Sequence, residues 1–460
     1  MKKTKRISPS LIIVLFLAIF TWTIFYPGIL SFDSIYTFRE AVTGDISDIR
    51  PPLLTLILQV LLKAGGNIGL LTLLECLLGF LGVRRLALAL TGLFHVKKHI
   101  QEMTTSIVIL LLSSPLTPMP VYFATFWFDS WLVIFLLWIS AYLIELANDT
   151  EARTKRVNQK VLLSILLITL VMLTRLNSSI LYLTLISALS WVLWKNNFPR
   201  KKLIFLIISP LAFYFIFLFF QYNILEVKRM HTERAHFALD LASMLTYNPA
   251  ICQTLSLPSC YLVQETFPPE FVVGHGAIDH TLNQGLLRSE PSFYKLVVSP
   301  NLSKDLWLAT INYPLTYGIV KVLNFVDYIR PRNQYYFQSF IYPNDFNLNF
   351  VPEFESIRNT LFRMLHNVYM HPILKIFSFV HLPWILLDLI GIFYCFITGQ
   401  KSKVRMILGF ILLTPGLYYF SYLIALPASD FRYMYPSTLI VQVMVLTLIF
   451  QTLTKRFYED

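Results

Sequence analysis

The stretch Ser31-Phe32-Asp33-Ser34-Ile35-Tyr36, followed by Asp45-Ile46-Ser47-Asp48-Ile49-Arg50-Pro51-Pro52-Leu53, gathers carboxylates, an arginine and a Pro-Pro pair between two apolar runs. A carboxylate so placed can take a proton from a hydroxyl or amine, or hold a cation. An arginine can grip a phosphate through two parallel N–H bonds. The same residue types recur at the ends of other apolar runs: Asp129 in Phe126-Trp127-Phe128-Asp129-Ser130-Trp131, Arg175 in Thr174-Arg175-Leu176-Asn177, and Arg432 with Tyr433 in Asp430-Phe431-Arg432-Tyr433. Acids that accept a proton or a metal, facing arginines that hold a phosphate, are what group transfer from a phosphate-linked lipid requires.

The elements that must position these residues are membrane spans. Of 460 residues, 56% are hydrophobic and only 14% are charged, which excludes a soluble protein of this length. The net charge of +12 does not point to nucleic acid, because the basic residues lie in short clusters between apolar runs, where the positive-inside rule expects them. Lys2, Lys3, Lys5 and Arg6 hold the start of a first span, residues 7–25, in the cytoplasm, and with no small-residue cleavage site after it this segment reads as a retained signal anchor. The loop 26–67 then lies outside. Its apolar piece, residues 53–62, would be roughly 15 Å long as a helix, half the thickness of the hydrocarbon core. An interfacial helix started by Pro51-Pro52 is the better reading.

Span parity supports that choice. Crossings at residues 69–90, 103–121, 131–146, 161–176, 179–194, 203–220, 381–398, 406–426 and 438–453 bring Lys97 and Lys98, Arg153 to Lys160, Lys195 to Lys202, Lys401 to Arg405, and Lys455 with Arg456 to the cytoplasmic side. Making 53–62 a crossing would invert every one. The sequence therefore predicts an all-α polytopic membrane protein with about ten spans and both termini cytoplasmic. It divides into an N-terminal module (1–221), one large extracytoplasmic domain (222–375) with helical periodicity at 237–245 and 357–368, and C-terminal spans (376–460). Asp33, Asp48, Arg50, Asp129, Arg175 and Arg432 all fall on the outer face.

Each of these residues has a plainer role open to it. Asp33 could cap a helix suggested by Ile35, Phe38 and Val42, Asp48 could be a turn residue after Gly44, and Asp129 could mark a membrane boundary. The arginines could be anchors reaching lipid headgroups. Glu75 and Asp388 fall inside spans, where they must be neutral, paired or turned to a polar cavity, with Arg84 or Arg85 as expected partners. His275, Asp279 and His280 match no strong metal spacing, and the Asn301-Leu302-Ser303 sequon carries no weight. Cys76 and Cys395 read as packing residues, whereas Cys252 and Cys260 could bond if their segment faces an oxidising compartment. No GxGxxG or Walker loop is present, so no recognised motif would bind a nucleotide.

An aspartate after the first span, an Asp-x-x-Pro-Pro-Leu pattern closing the same loop, an aspartate in the second outer loop and Arg432-Tyr433-x-x-Pro436 before the last span together resemble the GT-C superfamily of integral-membrane glycosyltransferases. The likeness is to bacterial relatives of protein O-mannosyltransferases and the lipid A aminoarabinose transferase. The resemblance implies a sugar donor on polyprenyl phosphate, an extracytoplasmic glycan, lipid or protein acceptor, Asp33 as general base, and Arg50, Arg175, Arg432 and Tyr433 around the phosphate. A divalent cation, magnesium or manganese, near Asp129 or Asp48 is compatible with it but not demanded, since arginines can neutralise the phosphate. Arg50 stands where relatives often carry His or Lys, and Phe128 where many have Lys. Two other classes share part of the pattern: a flippase or transporter of lipid-linked saccharide, and a polysaccharide polymerase or ligase using a diphosphate-linked donor.

Overall fold

The computed structural model describes residues 8–94, 96–148, 155–266, 272–273, 277–278, 291–329, 340–399, 402–424 and 431–459. Across these residues the named secondary-structure elements are helices apart from one antiparallel pair of two-residue strands, β1 (Val272–Val273) with β2 (Ala277–Ile278). Ten long helices follow the expected apolar runs: α1 (Pro9–Phe25), α4 (Ile68–Gly92), α5 (Lys98–Ser113), α7 (Phe128–Asn148), α8 (Lys155–Thr174), α9 (Leu181–Lys195), α10 (Arg200–Asn223), α19 (Leu382–Gly399), α20 (Lys403–Ile424) and α21 (Phe431–Glu459). Seven helical stretches among the described residues are long and apolar enough to cross a membrane: α7 to α10 and α19 to α21. Of the other three, α1 and α5 have only 17 and 16 residues, and α4 is long but carries Glu75, Arg84 and Arg85.

The bundle is built around α7, whose apolar stretch is 89% buried against only 11% for that of α10. Helices α4, α8, α9, α20 and α21 surround α7, and α1 and α5 pack behind α4. The outward side of α10 presents Phe205, Phe215, Ile216 and Phe219, each more than half exposed. A row of bare aromatic side chains on a helix with no polar face requires lipid as its solvent, so the protein is membrane-embedded.

Short helices occupy the end of the bundle where α1 leads into α4. Helix α2 (Phe32–Thr43) begins at Ser31, whose hydroxyl accepts from the Ser34 N–H while the Ser34 hydroxyl accepts from the Ser31 N–H. It stops at Gly44, in the left-handed region with φ of 76°. Helix α3 (Leu53–Lys63) follows Pro52 and has 11 residues, too few to span. It buries Leu53, Leu54 and Leu58 against α2 and leaves Val60 exposed.

Three expectations change. The third crossing stops at Ser113 because Pro115 and Pro118 cannot continue it, and a separate helix α6 (Met119–Phe123) follows. Residues 222–375 do not pack as one unit. Helices α11 (Thr232–Tyr247), α12 (Ala250–Leu255), α13 (Ser259–Thr266), α14 (Pro291–Val298), α15 (Leu302–Asn312) and α16 (Pro314–Ile329) enclose their own core around Ala238, Leu241, Ala242 and Leu245. A disulfide between Cys252 and Cys260 closes α12 onto α13. Residues 340–379, with α17 (Glu355–Met370) and α18 (Pro372–Phe379), instead lie on the bundle. The Tyr342 N–H donates to the Leu30 carbonyl at 2.9 Å, and Arg358 Nη1 donates to the Ile24 carbonyl at 3.0 Å. Finally, Arg84 and Arg85 pair with neither Glu75 nor Asp388. Arg84 binds Ser8, Ser10 and Glu102, while Arg85 grips both oxygens of Glu145, because those partners share its end of the bundle.

The crossing of α1 and α4 depends on Gly28, with φ of 126° and an added Cβ placed 2.5 Å from the Thr72 methyl group. Gly28→Ala should therefore cost about 1–3 kcal/mol through overpacking and backbone strain. Thermal unfolding of the purified protein should show a clear drop, and an unchanged midpoint would mean that this close approach is absent.

Candidate functional site

The site forms where four chain segments meet at one end of the bundle. The first loop is fixed to the start of α7 by backbone bonds: the Ile29 N–H donates to the Ala124 carbonyl at 2.8 Å and the Phe126 N–H to the Ile29 carbonyl at 3.2 Å. Side chains reinforce the join, with Ser34 Oγ donating to the Phe126 carbonyl at 2.7 Å and Trp127 Nε1 to Ser31 Oγ at 2.9 Å. The first turns of α2 and α7, which carry Asp33 and Asp129, are thereby held side by side. Tyr122 brings in α21, through its hydroxyl on the Arg432 carbonyl at 3.1 Å and its ring 4.6 Å from that of Tyr435.

Asp33 does not cap α2, because Ser31 does. Its carboxylate accepts from Arg50 through Oδ1, and its Oδ2 lies 2.5 Å from Arg432 Nη2. Aromatic faces set the planes of both guanidiniums: Arg50 lies 4.7 Å from the Tyr36 ring, and Arg432 lies 5.2 Å from Trp127 and 4.9 Å from Tyr433. Burial alone would raise the Asp33 carboxyl, but the two arginines outweigh it and hold the group well below the usual carboxylate range.

The second pair adjoins the first. Arg175 follows α8 in a tight turn secured by Ser178, and its guanidinium donates to the buried carboxylate of Asp129. The Arg175 guanidinium lies 4.3 Å from the Tyr433 ring, and Arg432 Nη2 donates to the Tyr433 hydroxyl at 3.1 Å. Tyr433 thus stands between the two ion pairs. Among the described residues Asp33 meets two guanidiniums and Asp129 meets Arg175, so the charged groups of both pairs are concentrated at this end of the bundle.

Asp48 is used differently. Its oxygens accept from the Tyr222 hydroxyl at 2.9 Å and from the Met230 N–H at 2.6 Å, so it ties the first loop to the last turn of α10 and to the segment after it. The described residues contain no group of three or more His, Cys, Asp or Glu placed to hold a metal ion. Asp129 rests on Arg175, and Asp48 on Tyr222 and Met230, so each aspartate has protein partners. His275, Asp279, His280 and Asp430 lie outside the described residues.

Sequence reasoning missed Trp127, Tyr122, Tyr36 and Glu40. Glu40 is buried and takes both the Ser47 N–H and the Ser47 hydroxyl on Oε1, at 3.1 and 2.6 Å, which folds the loop bearing Arg50 back over α2. The available signal was spacing: Tyr36 and Glu40 fall three and seven residues after Asp33, on the same helical face. Glu75 is fully buried near Ser130 and Trp127, yet neither of its oxygens has a bond of ordinary length.

Removing Arg175 alone should strand a buried charge, at a cost of about 3–5 kcal/mol, whereas replacing both partners by apolar residues should cost less. Thermal unfolding of Arg175→Leu, Asp129→Leu and the double variant forms a cycle that checks this. A double variant less stable than Arg175→Leu would mean that the pair is not coupled. The pH dependence of Asp33 has a definite sign. Its folded-state carboxyl titrates below the unfolded value of about 3.9, so its contribution is complete above that value and is lost as pH falls through the folded one. The stability difference between wild type and Asp33→Asn should stay level from about pH 8 to about pH 5. A wild type that gains stability relative to Asp33→Asn as pH falls across that window would show a raised carboxyl, one that the arginines do not hold down.

Compared with family models, curated proteins and solved structures, the chain gives no match, so the geometry of Asp33, Arg50, Asp129, Arg175 and Arg432 stands on its own.

Proposed function

We propose that this protein is a membrane glycosyltransferase that moves a sugar from a polyprenyl-phosphate carrier to a cell-envelope glycan, lipid or protein at the outer face of the cytoplasmic membrane. The observation that carries the reading is the position of Asp33 between Arg50 and Arg432, beside Asp129 and Arg175. A carboxylate set among guanidiniums at one helix end matches the two needs of the reaction: a base for the acceptor and a cradle for a departing phosphate. In the transfer, an acceptor hydroxyl or amine attacks the anomeric carbon. The bond from that carbon to the carrier's phosphate oxygen breaks, its electron pair stays with the phosphate, and the acceptor proton passes to Asp33. Attack opposite the leaving group inverts the anomeric configuration. Arg50 and Arg432 neutralise the charge that grows on the phosphate, with Arg175 and Tyr433 fixing the far side.

The orientation belongs to the same proposal. If all ten long helices cross, both termini and the basic clusters are cytoplasmic, and the site shares the outer side with the Cys252–Cys260 disulfide, which suits an oxidising compartment. A second reading, movement of a lipid-linked saccharide, draws on Glu75 and Asp388, both fully buried within long helices and without ordinary hydrogen bonds.

Purified protein supplied with polyprenyl-phosphate sugar and an acceptor should release free polyprenyl phosphate, read by thin-layer chromatography or mass spectrometry. Asp33→Asn should lower turnover by about 10²- to 10⁴-fold, and Arg432→Ala should raise the donor KM more than the acceptor KM. Full turnover by Asp33→Asn would remove Asp33 as the base, and translocation without release of lipid phosphate would favour the second reading.

A further inference from the structure

The site as folded poses a problem for its own chemistry: a base needs proton affinity, yet both oxygens of Asp33 face guanidiniums that lower it, Oδ1 on Arg50 and Oδ2 at 2.5 Å from Arg432. These are the same two side chains that a phosphate would use. We infer that Asp33 is a built-in competitor for the phosphate-binding arginines, and that an anionic phosphate ester frees the base by taking its place between Arg50 and Arg432. The inference rests on the glycosyl-transfer reading and adds an order to it, because the acceptor cannot be deprotonated until the donor is seated.

Several features allow such an exchange. Tyr36 beneath Arg50, and Trp127 with Tyr433 beside Arg432, hold the guanidinium planes whichever anion they face. Asp33 need not leave for this to happen. One turn of a side-chain torsion moves a carboxylate, while its helix stays fixed by the Ser31 and Ser34 capping bonds. Arg50 also has donor capacity to spare, since its buried Nη1 makes no hydrogen bond while Nη2 holds Asp33. A planar carboxylate leaves that nitrogen unused. A tetrahedral phosphate, with more oxygens than a carboxylate, can reach it as well. The neighbouring pair, Asp129 with Arg175, stays intact through the exchange and keeps the site from accumulating repulsive charge.

The exchange also changes Asp33 itself. With the arginines engaged elsewhere, the carboxyl loses the interactions that hold it below its usual range, and burial then raises its proton affinity. A weak base thus becomes a stronger one only when the leaving group is present, which protects the buried carboxylate from idle protonation and ties proton removal to a seated donor.

The test is binding, not turnover. The full-length protein in lipid nanodiscs is titrated with undecaprenyl phosphate and, separately, with inorganic phosphate, for wild type, Asp33→Asn, Asp33→Ser and Asp33→Glu, with thermal unfolding reporting that each variant is folded. Removing the competing carboxylate should tighten undecaprenyl phosphate binding by about tenfold in Asp33→Asn and Asp33→Ser, within the usual range for coupled sites. Asp33→Glu, which keeps the charge, should bind close to wild type. Tightening seen for inorganic phosphate alone would uphold the exchange and assign it to a free phosphate. Wild-type binding that is unchanged or weakened in both neutral variants would overturn the competition while leaving glycosyl transfer standing. No binding of either probe by any form would overturn both.

Discussion

Charge confined at the end of an apolar bundle must be neutralised where it sits. Asp33, Asp129, Arg50, Arg175 and Arg432 are mostly or wholly buried, and each carboxylate meets at least one guanidinium. Removing one member of such a set leaves the other uncompensated, at a cost of several kcal/mol. The rest of the architecture follows from bringing these groups together from four distant segments. The capped start of α2, the backbone bridge between Ile29 and Thr125, the turn after α8 and the first turn of α21 all end at this cluster.

The two ends of the bundle use charge in opposite ways. Away from the site, Arg85, Glu145 and Lys160 join α4, α7 and α8, and Arg84 with Glu102 and Ser10 joins α4, α5 and α1. These groups are spread around helix ends, and their pairs stitch neighbouring helices. At the site the pairs share one aromatic lining of Trp127, Tyr433 and Tyr36, so they form a single charged surface. The first arrangement joins helices in pairs, and the second concentrates guanidiniums in one place.

Much of the architecture was legible because lipid imposes a coarse and forceful pattern. Ten apolar runs became ten long helices, and the 11-residue length of α3 was readable from Lys63 and the glycines after it. The gathering of Asp33, Arg50, Asp129, Arg175 and Arg432 at one end followed from alternating span direction. What escaped was set by contacts between segments far apart in sequence. Ser31, not Asp33, caps α2, because the adjacent Ser34 completes the reciprocal bonds. The departure of residues 340–379 from helices α11 to α16 depends on Tyr342 meeting Leu30 and Phe346 meeting Phe38, pairings that no local periodicity announces. Glu75 and Asp388 lacked the partners expected of them because Arg84 and Arg85 lie further along α4, near other acids.

Arg432 and Tyr433 were expected on a connecting loop but ride on the first turn of α21, a helix of 29 residues. At 1.5 Å per residue such a helix is about 43 Å long, more than the hydrocarbon thickness it would cross. An over-long helix adjusts to its bilayer by tilting. Pro436, about one turn past Arg432, removes a backbone hydrogen bond from α21, so the helix can bend between its tip and the rest of its length. Arg432 is therefore seated by its own contacts with Asp33, Trp127 and Tyr433, on the far side of the proline from the length of helix that meets the bilayer.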